Sequence, residues 1–391
     1  MAMKESITIE NLGPIRKLAI PVIRQMTLLI GLSGIGKSAV MKALAMMRYI
    51  FKRENIRQFL KMSGIKNVPA TTELSGINKL GSLLTASTAI IYTVEINSNK
   101  YRLEISDGQL TINFKNIRKE DLRFYKGAYI SETRSVIPHI IQNFSNRNLK
   151  LGFYEEETLN DFDKATDSET TGIDFLDLTL TVKKPSMSPK SFFISSNNSR
   201  SPYTIRLTDA SSGIQNSVPV ETIVKYFAGE KFSFKEAFNR SVLKYLFDSE
   251  SITEFKPILE IKDIAKVISI HLEEPELSLD PKSQVGLISD LAETTFRKHS
   301  EDREFNLIMA THSPYIVNYL NVLIERYNIN SDLPGVDPSR LAVYKLGEDG
   351  DIQSLLIEEG KQIIVDTDWF SDTMSEIYGE YENLLEPLET D

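Results

Sequence analysis

The sequence predicts an α/β fold with a mostly parallel sheet at its core. A short apolar strand over 25–30 runs through a glycine-rich turn into a long helical segment over 39–62. Three further apolar strands follow along the chain: 266–271, 305–310 and 341–346. Continuous apolar runs of this length, with helical segments such as 282–298 between them, are typical of strands that helices cover on both faces. We therefore expect these four strands to share one sheet.

An antiparallel sheet is predicted near the N-terminus. Residues 6–12 alternate between apolar and polar side chains, and residues 17–24 form a second strand-like run. Three more runs of the same kind follow: 89–96, 101–106 and 110–114. Lys100 and the Asp107-Gly108 pair mark the expected hairpin turns, so consecutive strands here should run in opposite directions.

The middle and the end of the chain predict less regular structure. An inserted helical lobe is expected, with helix over 218–249 and an exposed insertion with mobile loops over 151–200. The tail from Glu376 is rich in acids and is expected to be partly disordered. These patterns predict four parts: an N-terminal lobe over 1–130, the inserted lobe over 131–250, a C-terminal lobe over 251–350 and an acidic tail over 351–391.

The composition excludes several classes of protein and site. The 391 residues are 41% hydrophobic and 25% charged, which is ordinary for a globular protein. There is neither an apolar run of about 18 residues nor a signal-like N-terminus, so we expect no membrane span and a cytoplasmic location. The absence of cysteine excludes disulfides and thiolate catalysis, and the four histidines are not spaced as zinc ligands on one helix.

Charge is divided unevenly along the chain. Residues 1–150 carry 23 Lys and Arg against 10 Asp and Glu, a net charge of +13, whereas residues 151–391 carry 22 against 44, a net charge of −22. The basic part could attract a polyanion such as DNA, or it could pair with the acidic part within or between subunits. The sequence leaves both interpretations open.

Residues 31–38, Gly-Leu-Ser-Gly-Ile-Gly-Lys-Ser, match the phosphate-binding pattern GxxxxGK[ST] between a strand and a helix. Its glycines let backbone N–H groups close around phosphates, and the following helix adds its positive N-terminal end. Lys37 is expected to reach the β- and γ-phosphates of a nucleotide, and Ser38 to bind Mg²⁺. The predicted ATP-binding residues are Gly31, Ser33, Gly34, Gly36, Lys37 and Ser38.

Two other strand ends carry groups suited to nucleotide hydrolysis. The strand that starts at Val267 leads to Glu273 and Glu274. Glu273 is expected to complete the Mg²⁺ site with Ser38, and Glu274 to polarise the attacking water. The strand over 305–310 leads to His312, which can contact the γ-phosphate. Glu274 and His312 are therefore the predicted catalytic residues.

Two segments are suited to contacts with a second copy of the chain. Residues 207–216 place serine and glycine at the start of a predicted helix, which makes a second anion site. Because the glycine-rich loop already holds phosphate within its own chain, this site is most useful for capping the phosphate of another chain. Its predicted residues are Ser212, Gly213 and Gln215. The loop 277–281, with Asp280, is a candidate contact with a partner subunit.

In this order, the motifs resemble those of the ATP-binding-cassette ATPases. The opening residues 7–38 are similar to the RecF and structural-maintenance-of-chromosomes branch. The strings Glu-Glu-Pro-Glu and Thr-His-Ser-Pro are similar to the OLD-family ATPases and their relatives in bacterial anti-phage systems. Ser211 and Ile214 depart from the family's LSGGQ signature. No glutamine stands at a clear lid-loop position, and the segment 129–134, with Glu132 and Arg134, resembles the region that replaces it.

The resemblance implies an ABC-type ATPase head that hydrolyses ATP with Mg²⁺ and sandwiches two ATP molecules between two heads, as a homodimer or higher oligomer. It further implies a sensor or scaffold in anti-phage defence that controls a separately encoded effector, with a nuclease as the first candidate. OLD nucleases carry a C-terminal nuclease domain of their own. Only 45 residues, 347–391, follow the last predicted strand here, and the acids at 358–359 and 366–368 lie too close together for the βα unit that normally separates such motifs, so we expect no built-in nuclease.

Two alternative functions remain open from the sequence. The first is a RecF-like repair ATPase that binds DNA directly through basic side chains on the helix after the glycine-rich loop: Lys42, Arg48, Lys52, Arg53, Arg57 and Lys61. The second is the nucleotide-binding subunit of a transporter. The RecF-like opening argues against the transporter, and DNA-binding assays across salt concentrations would test the repair ATPase.

Overall fold

A computed structural model describes residues 3–66, 68, 77–142, 151–167, 170–184, 189–248, 254–257, 260–348, 350–360 and 362–385. In chain order the strands are β1 (Lys4–Leu12), β2 (Ile15–Ile23), β3 (Met26–Ile30), β4 (Ala89–Ile96), β5 (Asn99–Ser106), β6 (Gln109–Ile112), β7 (Arg123–Ile130), β8 (Thr170–Ile173), β9 (Leu178–Lys183), β10 (Ser191–Ser196), β11 (Thr204–Arg206), β12 (Ala265–Glu273), β13 (Glu304–Thr311), β14 (Leu341–Leu346), β15 (Ile352–Ser354), β16 (Leu356–Glu359) and β17 (Gln362–Val365). The helices are α1 (Lys37–Met62), α2 (Ile137–Gln142), α3 (Phe153–Ala165), α4 (Ser212–Ala228), α5 (Phe234–Asp248), α6 (Pro281–Phe296), α7 (Pro314–Asn328) and α8 (Asp368–Leu385).

The predicted α/β class is confirmed by a mostly parallel central sheet. Its strands lie in the order β15-β14-β3-β13-β12-β7, and every neighbouring pair is parallel except β14 with β15. Strands β3, β12 and β13 are almost entirely buried, which explains their continuous apolar sequences. The carboxyl ends of these three strands therefore meet at one edge of the sheet.

The predicted N-terminal antiparallel sheet is also confirmed, with the order β2-β1-β4-β5-β6. Strand β4 alternates between buried and half-buried positions, as its sequence predicts. The hairpin turn at Asp107 and Gly108 is confirmed by positive φ angles at both residues. Lys100 was wrongly assigned to a turn: it lies in β5, because Asn97 and Ser98 adopt the positive φ angles that reverse the chain.

Helix α1 packs between the two sheets. The Phe51 ring lies 6.5 Å from the ring of Tyr92 in the N-terminal sheet and 5.5 Å from that of Tyr125 in the central sheet. Because α1 is covered on both sides, even polar residues along it are buried. Arg48 is only 3% exposed and pairs with the carboxylate of Glu5. The prediction that Arg48 offers a surface charge to DNA is therefore wrong.

The predicted loop insertion over 151–200 is wrong for most of the described residues. Helix α3 and strands β8, β9 and β10 lie in this range, and the sheet order is β11-β10-β9-β8. The helix is held to the central sheet by Lys126 of β7, whose ammonium lies 2.8 Å from Asp161 of α3. The inserted part thus combines helices with a small antiparallel sheet.

The predicted disorder of the tail is wrong for residues 376–385, which continue helix α8. Before it, β16 and β17 form a two-stranded hairpin that packs on α7 through Asn321. Residues 386–391 lie outside the described residues. Among the helices of the described residues, none is both long enough and apolar enough to cross a lipid bilayer.

Candidate functional site

The glycine-rich loop lies between β3 and α1 and depends on its glycines. Gly31, Gly34 and Gly36 have φ angles of +148°, +80° and +109°, which favour glycine. A Cβ atom at Gly31 would lie 2.8 Å from the carbonyl oxygen of Leu346, and one at Gly36 would lie 2.7 Å from the side chain of Ile15. The loop can therefore close tightly over the start of α1, where free backbone N–H groups favour an anion.

Lys37, the first residue of α1, folds back over this loop. Its Nζ donates to the carbonyl oxygens of Gly31 and Leu32, both at 2.9 Å, and lies 3.5 Å from Nδ1 of His312. Burial lowers the pKa of Lys37 to about 8, against the opposing effect of the Glu274 and Glu276 carboxylates. The ammonium thus sits where the loop, β12 and β13 converge.

The two predicted acids and the histidine come together at the ends of β12 and β13. Glu273 pairs with Ala310 in the parallel register, and the N–H of Glu274 donates to the carbonyl of Ala310 at 2.9 Å. Glu274 has a φ of +43°, which turns the chain sharply after the strand. As a result, its Oε1 lies 4.0 Å from Nε2 of His312.

Glu273 is held from behind by Tyr129. Its carboxylate is almost fully buried, and its Oε1 accepts a hydrogen bond of 2.7 Å from the Tyr129 hydroxyl. Burial and the Glu273 charge raise the pKa of Tyr129 well above its ordinary value. Tyr129 therefore remains a hydrogen-bond donor at neutral pH, and it orients the carboxylate toward the glycine-rich loop.

Arg134 holds the backbone that carries both acids. Its guanidinium donates to the carbonyl oxygens of Glu273 at 2.7 Å and Glu274 at 2.6 Å, and its Nε donates to the carbonyl of Asn216 on α4. Arg134 is fully buried, and desolvation lowers its pKa to about 10. It is a positioning residue. Its neighbour Glu132 lines the pocket, and burial together with Glu273 and Glu274 raises the Glu132 pKa.

Glu276 is a site residue that sequence reasoning missed. Its Oε1 accepts from the backbone N–H of His312 at 2.6 Å, and its Oε2 accepts from the Thr311 hydroxyl at 2.8 Å. It therefore ties the end of β13 to the loop after β12. The only signal in the sequence was the third acid of Glu-Glu-Pro-Glu, which does not reveal a partner 36 residues away.

These residues form one pocket of about 300 Å³. Most of the residues predicted for ATP, metal and catalysis line it: Ser33, Gly34, Gly36, Lys37, Ser38, Glu273, Glu274 and His312. Gly31 contributes through its carbonyl, which holds Lys37. Ser38 and Glu273 offer hydroxyl and carboxylate oxygens, the donors that Mg²⁺ prefers. The described residues contain no cluster of three or more acidic, histidine or cysteine ligands.

The predicted signature residues lie outside this pocket, at the start of α4. Ser212 is exposed at the first position of the helix, as the sequence predicts. Gly213 is buried, and a Cβ atom there would lie 2.6 Å from the carbonyl oxygen of Ser278 in the same chain. Gln215 donates to the carbonyls of Thr208 and Ala210 at 3.1 and 2.8 Å. Only Ser212 of the three therefore turns its side chain to the surface.

Asp280 caps α6 beside this segment. Its carboxylate accepts from the backbone N–H groups of Lys282 and Ser283 at 3.0 and 3.2 Å, and hydrogen bonds with Ser283 lower its pKa. The preceding residues Ser278 and Leu279 contact Gly213. The structure thus joins the signature segment and the Asp280 loop into one surface.

The sequence matches no protein-family model and no curated protein. Solved structures similar to the chain include an SMC head domain from Thermotoga maritima, at 14% identity and a TM-score of 0.34, covering 92% of this chain and 100% of the other. An SmcHead bound to the C-winged helix domain of ScpA has 10% identity, a TM-score of 0.41 and coverage of 92% and 98%. The recombination mediator protein "RecF-ATPrS in RecFOR pathway" has 12% identity, a TM-score of 0.39 and coverage of 90% and 98%.

Proposed function

We propose that this protein binds and hydrolyses ATP as an ABC-type ATPase head. One observation carries the proposal: a single pocket joins the glycine-rich loop and Lys37 with the adjacent acids Glu273 and Glu274 and with His312. A loop that binds phosphate is common to many proteins. Its combination with a carboxylate able to accept a proton, and with a histidine 4.0 Å from that carboxylate, favours hydrolysis over binding alone.

Each side chain has a distinct role in the proposed reaction. The loop N–H groups and Lys37 bind the phosphates, and Lys37 exchanges its two carbonyl partners for phosphate oxygens. Glu274 orients the attacking water and accepts its proton, while His312 contacts the γ-phosphate. Ser38 and Glu273 would hold Mg²⁺, which neutralises charge on the phosphate oxygens when bound. Tyr129 and Arg134 position the two acids.

We further propose that the active assembly contains two copies of the chain, with Ser212 of each copy facing the nucleotide of the other. The support is positional: Ser212 is exposed at the positive end of α4, yet the described residues that line the ATP pocket include none from 207–216. A surface with free N–H groups and no ligand in its own chain suits a phosphate presented by a second copy.

The cellular role is proposed from the resemblance of the motifs to OLD-family relatives. In this proposal, the ATPase is a cytoplasmic sensor or scaffold that controls a separately encoded effector, such as a nuclease, in anti-phage defence. Purified protein with ATP and Mg²⁺ should then leave plasmid DNA and tRNA uncut, and cleavage should require a neighbouring gene product. Cleavage by the purified protein alone would contradict this role and leave the ATPase proposal intact.

Phosphate release from ATP tests the enzymatic proposal directly. The wild type should hydrolyse ATP with Mg²⁺, and Glu274→Gln should bind ATP while losing turnover, because an amide cannot accept the proton. The matched control is Glu301→Gln, which makes the same chemical change in an exposed turn. Wild-type turnover in Glu274→Gln would assign the base elsewhere, and an absence of turnover in the wild type would contradict the proposed activity.

A further inference from the structure

A second cavity of about 220 Å³ lies at the edge of the central sheet, behind the proposed ATP pocket. Strands β7 and β12, helix α1 and helix α3 surround it. Aromatic side chains supply much of its wall: Tyr49, Tyr125, Tyr129, Phe153 and Tyr154. Tyr129 lines this cavity, and its hydroxyl bonds to Glu273, which lines the proposed ATP pocket.

Gly127, an exposed residue, lines this cavity. It lies in β7 without a positive φ, so its backbone does not require glycine. A Cβ atom built there would meet no atom within 4 Å among the described residues, which means that open space lies where a side chain would be. Ser269 stands directly opposite Gly127 in the parallel register. Its buried hydroxyl also lines the cavity and has no hydrogen-bond partner in the described part of the chain.

Lys52 places a positive charge at the same cavity. Within the described residues, the ammonium packs on the Phe124 ring, 5.3 Å from its centroid, and makes neither a hydrogen bond nor an ion pair. The other cations that line the cavity are already satisfied: Arg48 by Glu5 and Lys126 by Asp161. Burial is the main cause that lowers the pKa of Lys52 to about 8, so an anion beside it would favour its charged form.

We propose that this cavity binds a small aromatic carboxylate. The hydroxyl of Ser269 and the ammonium of Lys52 supply polar contacts for the carboxylate, and the aromatic wall receives the ring. The size agrees, since a cavity of about 150 Å³ can hold benzene. Glu157 also lines the cavity, which favours a single negative charge over a phosphate. The site is separate from the ATP pocket, and its occupancy does not depend on the proposed ATPase.

Titration calorimetry of the full chain with benzoate, without nucleotide, tests the proposal. We expect saturable binding with a dissociation constant of about 1 mM or below, which is typical of a ligand of this size. Benzyl alcohol, which keeps the ring but lacks the charge, should bind about tenfold more weakly. Lys52→Met should cause a similar loss, whereas Lys17→Met, at an exposed lysine, should change nothing.

Gly127→Val tests the space in the cavity while leaving the charge of Lys52 in place. The valine fills the space beside Ser269, and its β-branched side chain suits a strand, so the folded protein should keep or raise its melting temperature. Benzoate binding should fall at least about tenfold in this variant. Binding of benzoate to folded Gly127→Val at wild-type affinity would overturn the proposal, as would an absence of saturable binding to the wild type.

Discussion

The ATP pocket and the start of α4 both present backbone N–H groups at a helix N-terminus, but only one of them is enclosed. At the pocket, the glycine-rich loop meets both acids at the end of β12 and His312 at the end of β13. At α4, Ser212 is exposed, while Gly213 and Gln215 are committed to contacts within the chain. The first site is a pocket, whereas the second lies at the surface. The proposed pairing of two copies would explain this difference, because each copy would place its Ser212 beside the pocket of the other.

The two sites are nevertheless linked within the chain. Arg134 bonds to the backbone of Glu273 and Glu274 on one side and to the carbonyl of Asn216 in α4 on the other. Removal of this fully buried guanidinium would take one donor from each of these three carbonyl oxygens, although that of Glu274 also accepts from the N–H of Leu277 at 3.1 Å. Arg134 therefore links the two acids to α4, in addition to the close contact of Gly213 with Ser278.

The largest expected effect comes from a substitution in the proposed ATP pocket. Lys37→Ala removes the charge-assisted hydrogen bonds to phosphate, each of which contributes about 1.5–3 kcal/mol, so ATP affinity should fall by about a hundredfold or more. Calorimetry with a non-hydrolysable ATP analogue measures this. Lys17→Ala, at an exposed strand position, is the control and should bind normally. If folded Lys37→Ala bound the analogue with wild-type affinity, the proposal that this pocket binds ATP would be wrong.

Substitution of the two acids should separate their roles. Glu274→Gln should retain ATP binding and lower turnover by about a hundredfold or more, as expected for loss of a general base. Glu273→Gln should instead raise the Mg²⁺ concentration needed for half-maximal turnover, because a neutral amide is a weaker ligand. Phosphate release measured across Mg²⁺ concentrations distinguishes the two variants. Identical Mg²⁺ dependence in both would contradict the proposed division.

A smaller effect is expected from a substitution at the start of α4. Ser212→Glu adds a negative charge where the facing phosphate should lie, and it should lower turnover by about tenfold while ATP affinity of the single chain stays unchanged. Ser201→Glu adds the same charge at an exposed position elsewhere. Gly213 is unsuitable for this test because any side chain would meet Ser278 in its own chain. Equal turnover in both variants would count against a contact between copies.

A mixture of two variants gives a second test of the contact between copies. A heterodimer of Lys37→Ala with Ser212→Glu has one composite site with both lesions and one with neither. Partial recovery of turnover in the mixture, relative to each variant alone, is the expected result if one intact site can work. Turnover equal to that of the wild type in Ser212→Glu alone would already exclude the arrangement.

The smallest effect concerns the stability of α4. Burial raises the pKa of Glu221 to about 7, and the neighbouring ammonium of Lys225 opposes this rise. Lys225 also pairs with Asp174. The native state then binds a proton that the unfolded state releases above its ordinary value of 4.5. Stability should therefore fall as pH rises from about 5 to 7, by roughly 1 kcal/mol per unit. In urea unfolding, the free energy of unfolding of Glu221→Gln should lack this dependence on pH. The same dependence in the variant and in the wild type would contradict the prediction.

Four strands of the central sheet were predictable because strands buried on both faces have continuous apolar runs, as in β12 and β13. The strands at its two edges, β7 and β15, were not predicted. The prediction failed for β10, where serine residues on both sides of a short apolar run resemble a loop. The pocket residues were predictable because chemistry requires them at strand ends. The supports were less visible: Tyr129 contacts Glu273 across 144 positions, and no local pattern encodes such a pair.

The central claim, that ATP joins two copies through Ser212, is tested most directly by sedimentation of Glu274→Gln. This variant should hold ATP without hydrolysing it. We expect it to sediment as a monomer without nucleotide and as a dimer with ATP and Mg²⁺, and we expect the double variant Glu274→Gln with Ser212→Glu to bind ATP and remain monomeric. A dimer of the double variant with ATP, or ATP-bound Glu274→Gln that stays monomeric, would contradict the account.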